Sequence, residues 1–201
     1  MKGALHMNDT VYLYWDTETT GKWDYSKDIN DPDQPKIVQI GARLATRTEV
    51  LADIDLLIEP KGWDIPEGAQ AVHHISTEKA KSFGVSMENA LYTFRDLVAS
   101  CDIIVAHNIE YDRNVTQNNM NLFGVEPVPW KSIPQQCTML ASTPVCKMPP
   151  FRRGAWKWPK LDEAHKYFFG IGMPSSAHNA MVDVQGCQRV HLHLLDMGAF
   201  N

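Results

Sequence analysis

The sequence lacks an excess of basic residues, paired cysteine motifs and any long hydrophobic run. Its 19 Lys and Arg against 24 Asp and Glu give a formal net charge of −5, which argues against a protein that grips a long duplex by its phosphates. The four cysteines are widely spaced, with no CxxC pair, so we expect reduced thiols in the cytoplasm and no cysteine zinc site. No stretch is apolar enough to cross a membrane, and no signal-peptide pattern is present.

The remaining composition, 201 residues of which 44% are hydrophobic, suits one compact domain with a sizeable core. Residues 1–6 are expected to be a cloning-site remnant or a disordered tail, because His6-Met7 resembles a junction ahead of a native start. We therefore predict a single domain over residues 7–201.

An apolar and aromatic run at residues 11–15 predicts a buried strand that leads directly into Asp16 and Glu18. Side chains alternate along a strand, so these two acids point to the same side. At about 4 Å and an effective dielectric near 20, their repulsion costs roughly 4 kcal/mol. A proton on one carboxylate would relieve it, and so would a hard divalent cation, with Mg²⁺ or Mn²⁺ the natural candidate. The alternative is a frayed strand end whose acids are simply hydrated.

The remainder of the chain predicts a mixed α/β sheet, because strand–helix–strand alternation follows an antiparallel meander. Period-two alternation and short apolar runs place the predicted strands within residues 11–15, 37–45, 49–58, 102–106 and 135–141. Helical spacing and cap residues place predicted helices after Ser86, around Asp112, over residues 161–169 and over residues 179–197.

Two long segments are predicted to be largely irregular. Residues 22–36 are rich in Asp, Pro, Lys and Asn, and their Trp23 and Tyr25 either meet a substrate base or pack as buried rings. Residues 144–159 are proline-rich and interleave basic with aromatic residues. That mixture suits single-stranded nucleic acid, because rings stack on bases and cations meet phosphates. The alternative is a packing loop whose tryptophans cover the core.

Three further residues are candidates to join the first two acids. Asp112 is expected one turn into a helix that follows a buried strand. His178 is expected to precede the last helix, with Asp183 in its first turns, where the helix N-terminus favours an acid. From there both side chains would converge on Asp16 and Glu18.

These residues form three motifs that resemble, in order, those of the DEDDh 3′→5′ exonucleases. The motifs are Asp16-x-Glu18, His107-Asn108-x-x-Tyr111-Asp112 and His178-x-Ala180-x-x-Asp183. The resemblance to this DnaQ-like family of the ribonuclease-H-like superfamily extends over residues 11–195. Shorter matches between the motifs are Val72-His73-x-Ile75, Cys137-Thr138-Met139 and Lys157-x-Pro159-Lys160-Leu161. The departures, such as His74 where the family often has glycine, leave every catalytic position filled.

The resemblance implies a ribonuclease-H-like fold and hydrolysis of single-stranded DNA or RNA from its 3′ end to nucleoside 5′-monophosphates. Two ions, Mg²⁺ or Mn²⁺, would be held by four acids: Asp16 bridging both, Glu18 and Asp183 completing one site, and Asp112 helping the second mainly through water. His178 would be the general base that takes a proton from the attacking water. Contacts to the terminal nucleotide are expected from Thr19, His73 and Asn108.

Three alternatives stay open. The motifs are shared by DNA and RNA enzymes, so an RNA-trimming exoribonuclease fits equally. A non-catalytic binding module would keep the fold without the activity. A zinc site would use histidines, although His191 and His193 diverge by about 200° on a helix; the other candidates are His73 and His74. The sequence also leaves open whether the chain acts alone or with a polymerase or another nucleic-acid-processing assembly.

Overall fold

The computed structural model describes residues 9–174 and 178–200. The predicted remnant at residues 1–6 lies outside the described residues, and the single domain over residues 7–201 stays a prediction. Among the helices of the described residues, none is both long and apolar enough to cross a membrane.

A five-stranded mixed sheet forms the centre of the molecule. Its strands are β1 (Tyr12–Thr19), β2 (Ile37–Ala45), β3 (Val50–Leu57), β4 (Ile103–Ala106) and β5 (Gln135–Cys137). They are ordered β3-β2-β1-β4-β5. The β1–β2 and β2–β3 pairs are antiparallel, whereas β1–β4 and β4–β5 are parallel. This arrangement confirms the predicted ribonuclease-H-like mixed sheet.

Seven helices flank the sheet or connect its strands in the described part of the chain. They are α1 (Glu67–His73), α2 (Thr77–Phe83), α3 (Met87–Val98), α4 (Ile109–Leu122), α5 (Thr138–Cys146), α6 (Leu161–Phe169) and α7 (Ala180–Asp196). The predicted cap of α3 is confirmed, because the Ser86 hydroxyl accepts a hydrogen bond of 3.2 Å from the Asn89 N–H. The predicted last helix is confirmed too, with Asn179 as its N-cap.

Two parts of the structure were not predicted. Helices α1 and α2 have seven residues each and bury one side chain apiece, His73 and Ala80, so they carry little apolar periodicity. In the proline-rich segment, β6 (Met148–Arg152) and β7 (Ala155–Lys157) form a separate antiparallel pair. We call residues 148–157 the β6–β7 hairpin.

The main core lies between the sheet and helices α3 and α4. Trp15 stacks on Trp130 at 5.7 Å between ring centroids and lies 5.7 Å from the Phe94 ring. Trp23 is buried in this cluster, which confirms the packing alternative for that ring, while Tyr25 is exposed. A second cluster joins the other face of β1 to α7. Helices therefore cover both faces of β1.

Candidate active site

The alternation of side chains along β1 selects the partners of its polar residues. Leu13 and Trp15 belong to the core on the α3 and α4 side, whereas Tyr12 and Tyr14 pack with residues of α7. Because the strand period is two, Asp16 and Glu18 continue the α7 face and Thr17 continues the α4 face. The same strand thus presents acids to one helix and a hydroxyl to another.

Three carboxylates converge where β1 meets the start of α7. One oxygen each from Asp16, Glu18 and Asp183 lies within 4.8 Å of the other two. Glu18 is buried, and the other two acids are half-buried. The sequence-based expectation that acids distant along the chain meet at one point is met for these three.

Two residues of β2 bring α7 close enough for this convergence. Gly41 is the partner of Asp16 in the sheet, and a Cβ there would lie 2.6 Å from the Ala180 carbonyl carbon. Gln39, the partner of Glu18, accepts a hydrogen bond of 3.1 Å from the Ala180 N–H through its Oε1. Since α7 begins at Ala180, the missing side chain and the added acceptor together dock its first turn onto β2.

Asp112 is buried beside this cluster but is held by other contacts. Its Oδ1 accepts hydrogen bonds from the Thr17 N–H at 3.0 Å and from the Thr17 hydroxyl at 2.8 Å, and the residue is only 3% exposed. Asp112 is not part of the three-carboxylate group, yet its charge contributes to the raised pKa of Asp16. It lies near the site with Oδ1 fully engaged, which fits a less direct role.

Burial and mutual repulsion raise the pKa values of the four acids at the site. Burial raises the pKa of Asp16 well above its ordinary value, and the charges of Asp112, Asp183 and Glu18 add to the shift. Burial likewise raises the pKa of Glu18 to about 7 and that of Asp112 to about 7. Burial also raises the pKa of Asp183, whereas the hydrogen bond that its carboxylate accepts from the His178 N–H lowers it in part.

The donor set fits a hard divalent cation. Carboxylate oxygens are the ligands that Mg²⁺ and Mn²⁺ prefer, and three of them face one point here. The pKa values of Asp16 and Glu18 are raised first by burial and then by the neighbouring acids, and a cation would offset both effects, because each acid could then stay ionised. The residues present therefore fit a divalent metal site.

His178 lies at the edge of this group. Its backbone has a left-handed φ of 69°, and its N–H donates a hydrogen bond of 3.2 Å to Asp183 Oδ2. The side chain is exposed. The histidine is therefore joined to the carboxylate cluster through its backbone, while its imidazole stays accessible to solvent.

A cavity of about 490 Å³ opens beside Glu18, within the size range of small-ligand sites. Thr19, His73 and Tyr111 are among its lining residues. The Thr19 and Tyr111 hydroxyl oxygens lie 2.6 Å apart, and each lies 2.8 Å from the Gly21 carbonyl oxygen. Their two protons are shared among these three oxygens, so the turn after β1 is fixed as one wall of the cavity.

Of the three predicted nucleotide contacts, two line this cavity and one does not. Nδ1 of His73 accepts the Ile75 N–H at 3.1 Å, which assigns the proton of the neutral ring to Nε2. That Nε2 is buried and makes no hydrogen bond of ordinary geometry in the described part of the chain, although the Thr19 backbone favours the protonated ring and opposes the lowering of the His73 pKa by burial. Asn108 begins α4 in a left-handed conformation, φ 69°, and is not among the lining residues.

The histidine alternative for a zinc site finds no support in the structure. Both ring nitrogens of His191 are engaged, Nδ1 with the Tyr14 hydroxyl at 2.9 Å and Nε2 with Gln136 Oε1 at 2.6 Å. Burial lowers the pKa of His191 to about 4, so the ring is neutral. Within residues 9–174 and 178–200, the carboxylate trio is the only cluster of at least three metal-ligating side chains. All four cysteines are free thiols.

Sequence reasoning missed several residues that build the site. Gly41 carried one usable signal, since a glycine inside a strand often marks the close approach of another backbone. Gln39 and Thr17 carried none, because polar residues in a strand are common and their partners lie 141 and 95 positions away. Tyr111 was recognised only as part of a motif.

Comparison with known proteins gives a consistent picture. A family model described as "Exonuclease", that of the RNase T family, matches residues 13–190. No curated protein matches the chain. Among solved structures, E. coli exonuclease I with a dT13 oligonucleotide is similar, with a TM-score of 0.71 and 18% identity over 92% of this chain and 41% of that one.

Two further exonuclease I structures from E. coli align equally well. The complex with a dA16 oligonucleotide has a TM-score of 0.70 and 18% identity, covering 94% of this chain and 41% of that chain. A zinc-bound complex with single-stranded DNA has a TM-score of 0.70 and 18% identity, covering 94% and 42%. The chain thus spans less than half the length of these proteins, and the likeness establishes the shared fold. Because the exonuclease family model matches most of the chain and the structure has the corresponding fold, the chain belongs to the DnaQ-like exonuclease family.

Proposed function

We propose that this chain is a metal-dependent 3′→5′ exonuclease that shortens single-stranded DNA and releases nucleoside 5′-monophosphates. The observation that carries the proposal is the convergence of Asp16, Glu18 and Asp183 within 4.8 Å, beside a cavity of about 490 Å³ that Glu18 also lines. Membership of the exonuclease family supports it. The cavity would receive the last nucleotide, with its phosphate against the acids.

Two divalent ions, Mg²⁺ or Mn²⁺, are proposed as cofactors. Asp16 would touch both, Glu18 and Asp183 would complete one site, and Asp112 would assist the other mainly through water. When bound, such ions stabilise the attacking and departing oxygens of an in-line displacement at phosphorus. Because Oδ1 of Asp112 accepts both hydrogen bonds from Thr17, Oδ2 is the oxygen of this carboxylate that would serve the ion.

The chain's own side chains would supply the proton transfer and the positioning. The His178 imidazole takes a proton from the attacking water as its oxygen bonds to phosphorus. The bond from phosphorus to the 3′-oxygen breaks, and that oxygen takes a proton from solvent water to become the 3′-hydroxyl of the shortened strand. Thr19 and the Nε2–H of His73 would contact the terminal nucleotide in the cavity, and Asn108 would contact it from the start of α4.

Single-stranded DNA is the preferred substrate class because the similar E. coli structures contain DNA oligonucleotides of both thymine and adenine. An RNA-trimming activity uses the same acids and is the second candidate. We further propose a reducing, cytoplasmic setting from the four free cysteines. Association with a polymerase or another nucleic-acid-processing assembly stays a prediction.

A timed digestion tests the proposal. Matched DNA and RNA single strands, labelled at the 5′ end, are incubated with Mg²⁺, Mn²⁺ or a chelator. We expect a ladder that shortens from the 3′ end, faster on DNA and abolished by chelation. Label released first from the 5′ end, or equal digestion in chelator, would contradict it. Faster loss of the RNA strand would instead favour the second candidate.

A further inference from the structure

The β6–β7 hairpin is an exposed feature that the catalytic site does not explain. Its strands pair through Met148 with Lys157 and through Arg152 with Ala155. Phe151 is 55% exposed, and its ring lies 4.9 Å from that of Trp156. Trp158, directly after the hairpin, is 61% exposed. None of the core clusters of the described residues includes Phe151 or Trp158, so the packing-loop alternative does not account for these rings.

The charge of this segment is opposite to that of the whole chain. Residues 147–160 contain five Lys and Arg and no Asp or Glu, although the formal net charge of the protein is −5. Lys157 pairs with Glu163. Arg152 and Arg153 are exposed, and no carboxylate in the described ranges forms an ion pair with either. Two cations therefore stand uncompensated beside two exposed rings.

One open groove of about 560 Å³ lies on this segment, and its lining residues include Arg152, Arg153, Trp156 and Trp158. The exposed Phe151 ring is not part of that lining but lies against the Trp156 ring. Such a groove suits single-stranded nucleic acid, because aromatic rings stack on bases and guanidinium groups bind the phosphates that join them.

His107 ties the hairpin to the catalytic edge of the sheet. Its Nε2 lies 3.0 Å from the Pro159 carbonyl oxygen, and its Nδ1 lies 2.9 Å from the Thr138 hydroxyl. Burial lowers the pKa of His107 to about 4, so the neutral ring donates from Nε2 to Pro159 and accepts from Thr138.

The position of His107 sets where the hairpin lies. It follows β4 directly, and Val105 of that strand pairs with Tyr14, two residues before Asp16. Because β1 and β4 are parallel, their carboxyl ends share one edge of the sheet. The base of the hairpin and the carboxylates are therefore at the same edge.

We propose that the β6–β7 hairpin with Trp158 is a second contact surface for single-stranded nucleic acid, which holds the nucleotides on the 5′ side of the one being removed. Phe151 and Trp158 stack on bases, and Arg152 and Arg153 neutralise phosphates. This inference rests on the proposed exonuclease function and names the part of the substrate that lies outside the terminal-nucleotide cavity. The surface is tolerant of base identity, since every base offers a face for stacking.

Binding without turnover tests the surface by itself. Fluorescence anisotropy measures the Kd of 5′-labelled oligothymidylates of about three and about fifteen nucleotides, in chelator, for the full chain and its variants. Phe151→Ala with Trp158→Ala should weaken binding of the longer strand by about tenfold or more, the loss of one to two stacked bases, and the trimer much less. Arg152→Gln with Arg153→Gln should lower the slope of log Kd against log salt by about 1.4, the value for two phosphate contacts.

The matched control removes the same kinds of side chain from another surface. Phe83 is 77% exposed on α2, and Lys79 on the same helix is exposed. Phe83→Ala with Lys79→Gln should leave both Kd values and the salt slope at the wild-type level. An equal loss in hairpin and control variants, or a hairpin loss that is independent of strand length, would overturn the proposal.

Hydrolysis of p-nitrophenyl thymidine 5′-phosphate separates this proposal from the proposed function. The small ester fills the catalytic site but cannot reach upstream nucleotides. If wild-type protein fails to hydrolyse both it and a DNA strand, the exonuclease proposal fails, and the anisotropy result still decides the hairpin. If wild-type protein hydrolyses both and the hairpin variants keep wild-type affinity for the long strand, only the hairpin inference fails.

Discussion

Gly41 of β2 lies against the backbone of Ala180 at the start of α7, and a Cβ on Gly41 would fall 2.6 Å from the Ala180 carbonyl carbon. The same contact sets the distance between the strand that carries Asp16 and the helix that carries Asp183, since Gly41 is the sheet partner of Asp16. A position with no side chain therefore determines whether the carboxylates of two distant segments meet.

Gly41→Ala should displace the first turn of α7. The added methyl group meets backbone atoms that cannot rotate away, and overpacking of this kind costs about 1–3 kcal/mol of stability. We expect a lower midpoint of chemical denaturation and weaker Mn²⁺ binding, measured by calorimetry. Gly186→Ala on the same helix is the control, because its Cβ would meet the flexible end of Met173. Unchanged Mn²⁺ affinity in Gly41→Ala would contradict this account of α7 docking.

Asp183→Asn should lose activity on single-stranded DNA by several orders of magnitude while the fold survives. Burial and neighbouring acids raise the pKa of Asp16 and Glu18, and Asp183 is among the causes in both. Removing one like charge should therefore stabilise the metal-free protein, as a higher Tm in chelator would show. The exposed Asp96→Asn is the control and should change neither quantity. Full activity of Asp183→Asn would remove this residue from the site.

The free energy of unfolding of the metal-free protein should decrease as pH rises, because Glu18 holds its proton more tightly in the folded state. Burial raises the pKa of Glu18 from 4.5 to about 7. Between those values the folded chain keeps a proton that the unfolded chain has released, so the free energy of unfolding decreases as pH rises through that window and is flat above it. Chemical denaturation in chelator at a series of pH values measures the slope.

Comparison with Glu18→Gln measures the contribution of Glu18 together with its effect on the pKa of Asp16, which the Glu18 charge helps to raise. Burial lowers the pKa of His107 and of His191 to about 4, and such groups add stability as pH rises from about 4 to about 6.5. Their effect is the same in both proteins and cancels in the difference. The stability of wild type minus that of Glu18→Gln should fall from pH 4.5 to 7, whereas a difference that rises would refute the raised pKa.

His73→Phe should weaken binding of a nucleoside 5′-monophosphate without changing the metal site. His73 lines the cavity, and its buried Nε2–H makes no hydrogen bond of ordinary geometry among the described residues, so we expect a bound nucleotide to accept from it. Losing one such hydrogen bond costs about 1 kcal/mol, or about fivefold in the inhibition constant. The control is His74→Asn, at the exposed C-terminal end of α1 where the backbone is left-handed; it should leave the inhibition constant unchanged. An equal effect of both variants would show that His73 does not contact the nucleotide in the cavity.

Local patterns were enough to predict the parts of the site that depend on one segment. Period-two alternation placed Asp16 and Glu18 on one face, and helical spacing with an asparagine cap placed Asp183 in the first turn of α7; the geometry bears out both placements. These features are visible in sequence because each depends on neighbours within a few residues.

Contacts between distant segments were not visible in the same way. Two examples are the close approach of Gly41 to the Ala180 backbone and the hydrogen bond from the Thr17 hydroxyl to Asp112. Both depend on how the helices pack against the sheet. The β6–β7 hairpin was missed because proline normally weakens a strand prediction, and an isolated pair without a partner sheet has no other signal. The catalytic, metal-binding and nucleotide-binding roles proposed for the site residues, including His178 and Asn108, stay predictions.

Calorimetric titration of Mn²⁺ into the metal-free protein tests the central claim most directly. If Asp16, Glu18 and Asp183 form a divalent cation site, wild-type protein binds the ion saturably, and Asp16→Asn weakens binding by at least about tenfold, a loss of about 1.4 kcal/mol. Wild-type protein that shows no saturable binding, or Asp16→Asn protein that binds with wild-type affinity, would contradict it.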